Sequence, residues 1–186
     1  MSGRTQSRAR ALETITGYLT DNDIVFEQPS DDCIVATLPG EHRLKTTVSL
    51  VAGEHSLSLN AFVIRHPEEN HAAFFRWLLE RNLRIFGIAY ALDHLGDVYL
   101  VGKVPLRTLT EDRVDQLLGA VLENSDGAFD HLLELGFESA IRREWQWRLS
   151  RGESTANLVH FQHLADPLSA THQEQLAPWH GSDTAG

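Results

Sequence analysis

"RLKTTVSLVAGEHSLSLNAFVIR", residues 43–65, decides the architecture. Leu44, Thr46, Val48 and Leu50 occupy alternate positions, and Leu57, Leu59, Ala61 and Val63 do the same beyond "VAGEH". A period of two is that of a strand with one buried face, and so short a glycine-containing connection joins strands antiparallel. Upstream, "CIVATL" (33–38) alternates likewise and meets the first strand through "LPGEH". "DIVFEQ" (23–28) is a further short strand before a turn at Pro29–Ser30. Downstream, "RIFGIAYAL" and "DVYLVGKVP" read as a hairpin turning at "DHLGD".

Helical spacing frames these strands. Ala11, Leu12, Ile15 and Leu19 recur at helical steps before "TDND" ends the run. A second helix is expected from about Pro67 to Asn82. Val114, Leu117, Leu118, Val121, Leu122, Ser125, Phe129, Leu132 and Leu133 hold one phase from Thr110 to Leu135. Thr110 is the expected N-cap, with Leu109 and Val114 as a hydrophobic staple. Gly127 sits where it would weaken or break this helix, and Gly136 where it would end it. Phe137, Ile141, Trp145 and Leu149, four apart, predict a last long helix with that stripe in the core. Runs of hairpins with few helices imply an α+β fold, an antiparallel sheet of about five strands flanked by helices. Residues 1–152 form the expected domain. Residues 153–168 follow as an amphipathic segment built on Leu158, Phe161 and Leu164, and 169–186 as a disordered tail without periodicity.

The chain has 186 residues and a net charge of −10, which repels nucleic acids and anionic membranes. The lone cysteine, Cys33, forms no intrachain disulfide and fits a reducing compartment. Arg4, Arg8 and Arg10 lead into no apolar run, so neither a secretory signal nor a membrane span is expected. Cytoplasmic location is the expectation.

"HPEENH" (66–71) is the most chemical-looking motif. Proline and glutamates suit a helix N-terminus. His71 then shares the apolar face of Phe74, Phe75 and Leu78, while Glu69, Arg76 and Glu80 face solvent. His66 and His71 are five apart, not the three or four of two ligands on one helix, so no metal or catalytic role is assigned. His160 and His163 are three apart but have no neighbouring cysteine or carboxylate in sequence. Ser56 and Ser58 fall on the solvent face of a strand. No phosphate-binding loop and no Gly-x-Ser-x-Gly elbow occurs. No cofactor, metal or catalytic residue is expected.

"IRREWQWRLSR" (141–151) interleaves arginine with tryptophan. Trp145 belongs to the core stripe, with Arg142 and Arg143 facing water. Trp147 lies about 160° from Leu149 at about 100° per residue, off that stripe. Tryptophan beside Arg148 and Arg151 has hot-spot composition. Trp147, Arg148 and Arg151, then Leu158 and Phe161, are the candidate partner-binding residues.

"AFVIRHPEENHAAFFRWLLERN", "LDHLGDVYLVGKVPL" and "LLELGFESAIRREWQWRLSRGESTANL" resemble the actinobacterial branch of the YbjN-domain family over about Ala9 to Leu164. That family is described in terms of bacterial sensory-transduction regulation. The resemblance implies a fold similar to type III secretion chaperones, often dimeric, and carries over no catalytic residue or cofactor. Three readings follow. The first is a non-enzymatic cytoplasmic regulator or chaperone-like adaptor, binding a protein or peptide as a homodimer. The second is a small-ligand-binding domain or enzyme with a dispersed pocket around His71, Tyr90 and Tyr99. The third, RNA binding through the Arg–Trp helix, is opposed by the charge balance.

Overall fold

A computed structural model describes residues 3–165; the expected tail, 169–186, and the end of the preceding segment lie outside the described residues. Helix α1 spans Gly3–Asp21, followed by β1 (Val25–Ser30), β2 (Cys33–Pro39), β3 (Lys45–Ala52) and β4 (Ser56–Ile64). Helix α2 (His71–Asn82) precedes β5 (Ile88–Leu92) and β6 (Val98–Pro105). Helices α3 (Glu111–Ser125) and α4 (Phe129–Arg151) complete the regular elements, with 3₁₀ turns at Leu106–Thr108 and Ala156–Ala165. The chain divides into two compact units, Met1–Gly136 and Phe137–Gly186, so the boundary expected at 152 falls inside the second.

In the first unit six strands form one antiparallel sheet, ordered β1-β2-β3-β4-β6-β5. The sheet thus has six strands against the expected five or so, the short "DIVFEQ" segment taking its place as β1. One face carries Ile34, Ala36, Val48, Leu50, Leu57, Leu59, Ala61, Val63, Val98 and Leu100, all buried. It is covered by Ala11, Ile15 and Leu19 of α1 and by Val114, Leu117, Leu118 and Val121 of α3. Thr110 caps α3 as expected, its Oγ1 accepting the Arg113 N–H at 3.3 Å. Tyr18 on α1 donates its hydroxyl to Asp115 of α3 at 2.6 Å. Burial, and then the adjacent carboxylate, push the Tyr18 pKa up to about 12.

The alternation in residues 43–65 is realised with one exception: Leu44 is 99% exposed. The strand starts only at Lys45, because the preceding loop is held elsewhere. The carboxylate of Asp126, at the α3–α4 junction, accepts the backbone N–H groups of Glu41 (2.9 Å), His42 (3.1 Å) and Arg43 (2.7 Å). Burial raises the Asp126 pKa, but the N–H groups of Glu41, Arg43 and His42 outweigh it and hold the carboxyl below its ordinary value. The expected helix through Leu135 is thus broken at Asp126–Ala128, next to Gly127.

Helix α2 begins at His71, four residues beyond Pro67. Asn70 takes a left-handed conformation (φ 53°) and turns the chain there. Pro67 is buried instead of opening the helix. The Glu68 and Glu69 N–H groups donate to the Gly136 carbonyl at 2.9 and 3.2 Å. Gly136 is needed for closeness: an added Cβ would meet Pro67 Cβ at 2.9 Å and the Phe74 ring at 3.0 Å. It also ends the preceding helix, as expected: Phe137 takes non-helical angles (φ −145°, ψ 20°), so α4 is two helices joined across a kink. Gly136→Ala is expected to cost about 1–3 kcal/mol by overpacking. Adding Phe74→Leu should make the double variant less unstable than the sum of the singles. Urea denaturation of the four proteins checks this, and simple additivity would remove the steric account.

In the second unit Phe137, Ile141 and Trp145 are buried. Trp145 Nε1 donates to the Phe161 carbonyl at 3.2 Å. Leu158, Phe161 and Leu164 are three apart and buried along a 3₁₀ segment that is kinked at Phe161 (φ −106°, ψ 23°).

Candidate protein-binding surfaces

Trp147 is 42% exposed, as its offset from the stripe implies. Its ring lies under the Arg151 guanidinium at 5.3 Å, a cation–π arrangement. Arg148 is aimed by two partners. Its Nε donates to Glu144 at 2.6 Å and its Nη1 to the Ser154 carbonyl at 2.9 Å. Beside them a shallow recess of about 570 Å³ is lined by Ala140, Arg143, Glu144, Trp147, Arg148 and Glu153. Trp147, Arg148 and Arg151 therefore form one patch on the last two turns of α4. Leu158 and Phe161 do not join it; they are 8% and 5% exposed, spent on the interior of the 3₁₀ segment. Leu149, expected in the core, is 61% exposed. Arg142 is half-buried, with Nε bound to Glu138 and Nη1 to the Leu164 carbonyl. Two of the helix's arginines are thus paired with glutamates one turn before them, which weakens its claim on a phosphate backbone.

The dispersed pocket does not assemble. Tyr90 is buried on the helix-covered face, its hydroxyl donating to the Asn124 carbonyl at 2.6 Å, and burial raises its pKa. Tyr99 projects from the opposite face, edge-on to Phe62 with ring centroids 5.5 Å apart. His71 is exposed at the start of α2, not core-facing, because the helix begins later than its sequence suggests. Its ring lies 5.1 Å from that of His66.

One surface escaped sequence reasoning. Helix α2 buries Phe74 and Leu78 but leaves Leu79 67% and Leu83 87% exposed. Leu83, at the C-cap, keeps helical backbone angles (φ −65°, ψ −18°). Ala72, Phe75, Leu79 and Leu83 thus make a second apolar stripe, bordered by Arg76 and Glu80, around a shallow groove of about 550 Å³. The signal was available: Phe75, Leu79 and Leu83 are four apart.

The sheet edges are guarded. Asn82, the last residue of α2, accepts the Tyr90 N–H on Oδ1 at 2.8 Å and donates Nδ2 to the Tyr90 carbonyl at 3.2 Å. Its amide stands where a neighbouring strand's backbone would. At the other edge β1 carries Pro29, which cannot donate to an added strand. The face of β2 to β6 away from α1 and α3 displays Cys33, Val35, Thr37, Thr47, Ser49, Val51, Ser58 and Asn60, with Lys45 and Lys103. No carboxylate from these five strands lies on it, and these are the only two lysines in the chain. No helix among the described residues is long and apolar enough to cross a membrane.

Known proteins match this arrangement. An uncharacterised protein of Mycobacterium leprae is 53% identical over 72% of this chain and 72% of its own length. One from Mycobacterium bovis is 54% identical over 70% and 72%. A chain of the ExsC–ExsE complex superposes with a TM-score of 0.50 at 18% identity, covering 67% of this chain and 95% of its own. A chain of the HopA1–SchA chaperone–effector complex does so with a TM-score of 0.50 at 14% identity, covering 67% and 97%. At such identities these two establish a shared, chaperone-like fold. The YbjN family, described as "Putative bacterial sensory transduction regulator", matches residues 11–134; with relatives more than half identical over 70–72% of the chain, this chain belongs to the YbjN family.

Proposed function

We propose that the protein is a non-enzymatic cytoplasmic adaptor or regulator of chaperone-like type, working as a homodimer and binding a protein or peptide client. The observation that carries this reading is the Trp147 platform. A large aromatic surface is held under one guanidinium beside a second that is fixed by Glu144 and Ser154. Pre-ordered tryptophan and arginine lose little conformational freedom on binding and dominate interface energetics. The fold shared with a chain of a chaperone–effector complex supports a protein client. The guarded edges speak against strand addition and favour side-chain docking on the α4 patch.

The test is affinity capture of the tagged full chain from its native cytosol, comparing wild type with Trp147→Ala by mass spectrometry. Trp147→Ala is expected to keep the wild-type circular dichroism and melting curve within about 1 kcal/mol and to lose a partner that wild type retains. Unfolding of the variant, or an unchanged set of partners, would overturn the assignment.

A further inference from the structure

We propose that His66 and His71 together form a binding site for a divalent transition metal ion of the imidazole-preferring class, zinc or copper, chelated by the two rings with its other positions open to water.

A spacing of five excludes such a pair only where both histidines lie on one helix, and these do not. Helix α2 begins at His71 itself, while His66 belongs to the loop after β4. Between them Pro67 is buried, and Asn70 takes left-handed angles (φ 53°) with its Nδ2 donating to the Leu135 carbonyl at 3.1 Å. That turn brings the two rings to 5.1 Å between centroids, inclined at 47°. Two imidazoles bound to one ion through nitrogens at about 2.0–2.1 Å, at a tetrahedral angle, stand with ring centres about 5 Å apart. The pair already has the separation that chelation needs.

The ring positions are held from behind. The His66 N–H donates to Asp97 Oδ1 at 2.7 Å, and the Asp97 N–H in turn to Asp93 Oδ1 at 2.9 Å. The His66 ring lies against Gly96 in the β5–β6 turn, where φ is +84° and a Cβ would collide with Nδ1. Nδ1 thus faces the main chain, and Nε2 is the nitrogen clear of it. Phe75, one turn on from His71, backs both rings, with centroid distances of 6.3 Å to His66 and 6.4 Å to His71. Both histidines are exposed. Among the described residues no ring nitrogen of either has a hydrogen-bond or ionic partner that an arriving ion would have to displace.

The chemistry selects the ion. A net charge of −10 draws cations to the chain. Neutral imidazole suits zinc, copper and nickel, whereas magnesium and calcium take oxygen ligands. Copper(II) should bind most tightly, since a given nitrogen site ranks the first-row divalent ions in that order. Two protein ligands make an exchangeable site, unlike the closed four-ligand centres that hold a domain together.

The experiment is calorimetric titration of the full chain with Zn²⁺, Cu²⁺ or Mg²⁺ alone, in a non-coordinating buffer alkaline enough to keep imidazole neutral. Pulsed electron paramagnetic resonance then counts the imidazoles on the copper form. Wild type is compared with His66→Gln, His71→Gln and the double variant, and circular dichroism checks that each is folded. The chain's ten histidines offer background sites, so the tightest step is the one read. Wild type is expected to bind one equivalent of Zn²⁺ or Cu²⁺ in that step, to ignore Mg²⁺, and to show two imidazoles on its first copper ion. Each single variant should lose about 10–100-fold in affinity, the worth of an outer partner of a metal ligand and the least that a ligand itself should be worth. The double variant should fall well short of the sum of two independent losses, because the rings act as one site.

A tightest step that is no stronger in wild type than in the double variant would overturn the proposal, as would one that only one of the two substitutions weakens. A single imidazole on the first copper ion of wild type would overturn it too. So would a two-imidazole signal that survives either substitution, since the ion would then sit elsewhere.

Discussion

Phe74→Ala is expected to lower the unfolding free energy by about 3–5 kcal/mol, the range for deleting a buried aromatic ring. Phe74 is fully buried, with its ring edge against the Gly136 backbone and at 90° to Phe75, centroids 5.7 Å apart. Collapse into the vacated space is opposed from both sides. Pro67 already touches Gly136, and the Glu68 and Glu69 N–H groups tie the loop before α2 to the same glycine's carbonyl. In a chain of this length the loss corresponds to a fall in Tm of roughly 6–20 °C. Urea denaturation and calorimetry measure it. A cost under about 1.5 kcal/mol, the level of a tolerated core swap, would show that the ring does not wedge the α2 loop onto α4.

The second large effect concerns Asp126. Its carboxylate holds three consecutive backbone N–H groups, so Asp126→Ala leaves them to find water in a partly closed loop. The expected loss is about 2–4 kcal/mol, from charge-assisted hydrogen bonds removed together. Asp126→Asn retains an acceptor and should cost less. Because the folded carboxyl titrates below its ordinary value of 3.8, its contribution is fully present above that pH and is lost as pH falls through the folded value.

His42 in the same loop acts with the opposite sign. Its Nδ1 lies 2.7 Å from Asp130 Oδ2. The hydrogen bond to Asp130 outweighs burial and raises the His42 pKa above 6.5. That contribution is complete below 6.5 and fades as pH rises through the raised value. Amide exchange in residues 40–44, at fixed intrinsic rate, should therefore be slowest between about pH 4 and 6.5, the window set by the two ordinary values. Exchange that keeps slowing above that window would contradict the His42 part. Wild-type protection in Asp126→Ala would contradict the whole clamp.

The meander and both long amphipathic helices of the first unit were legible because half-buried strands and helices advertise themselves by period. What was not legible depended on partners distant in sequence. Leu44 continues its strand's alternation perfectly, yet is exposed, since the loop before it answers to Asp126 some eighty residues later. "HPEENH" reads locally as a helix start, but Pro67 is drawn down onto Gly136 and the helix opens only at His71. Trp147 was placed correctly outside the apolar stripe because angular position on a single helix is a local quantity. Leu149 was not, for the same four-residue step says nothing of whether anything covers the helix's last turn. The three-residue step of Leu158, Phe161 and Leu164 belongs to a 3₁₀ segment along which all three are buried, which removed two residues from the candidate patch. The second stripe of α2 was visible at four-residue steps. It escaped because Phe74 and Leu78 already accounted for an apolar face, and a helix with two such faces belongs to an element that needs two neighbours.

The lysines carry a practical consequence. Lys45 and Lys103 are the chain's whole complement of that residue, and both are exposed on the sheet face away from α1 and α3. Amine-reactive chemistry therefore has two side-chain addresses besides the terminal amine. A sensor chip coupled through them grips the first unit by its strands and leaves the α2 stripe out of the linkage. A dye or crosslinker placed there reports on that face alone, so its shielding by a bound protein maps the docked side directly.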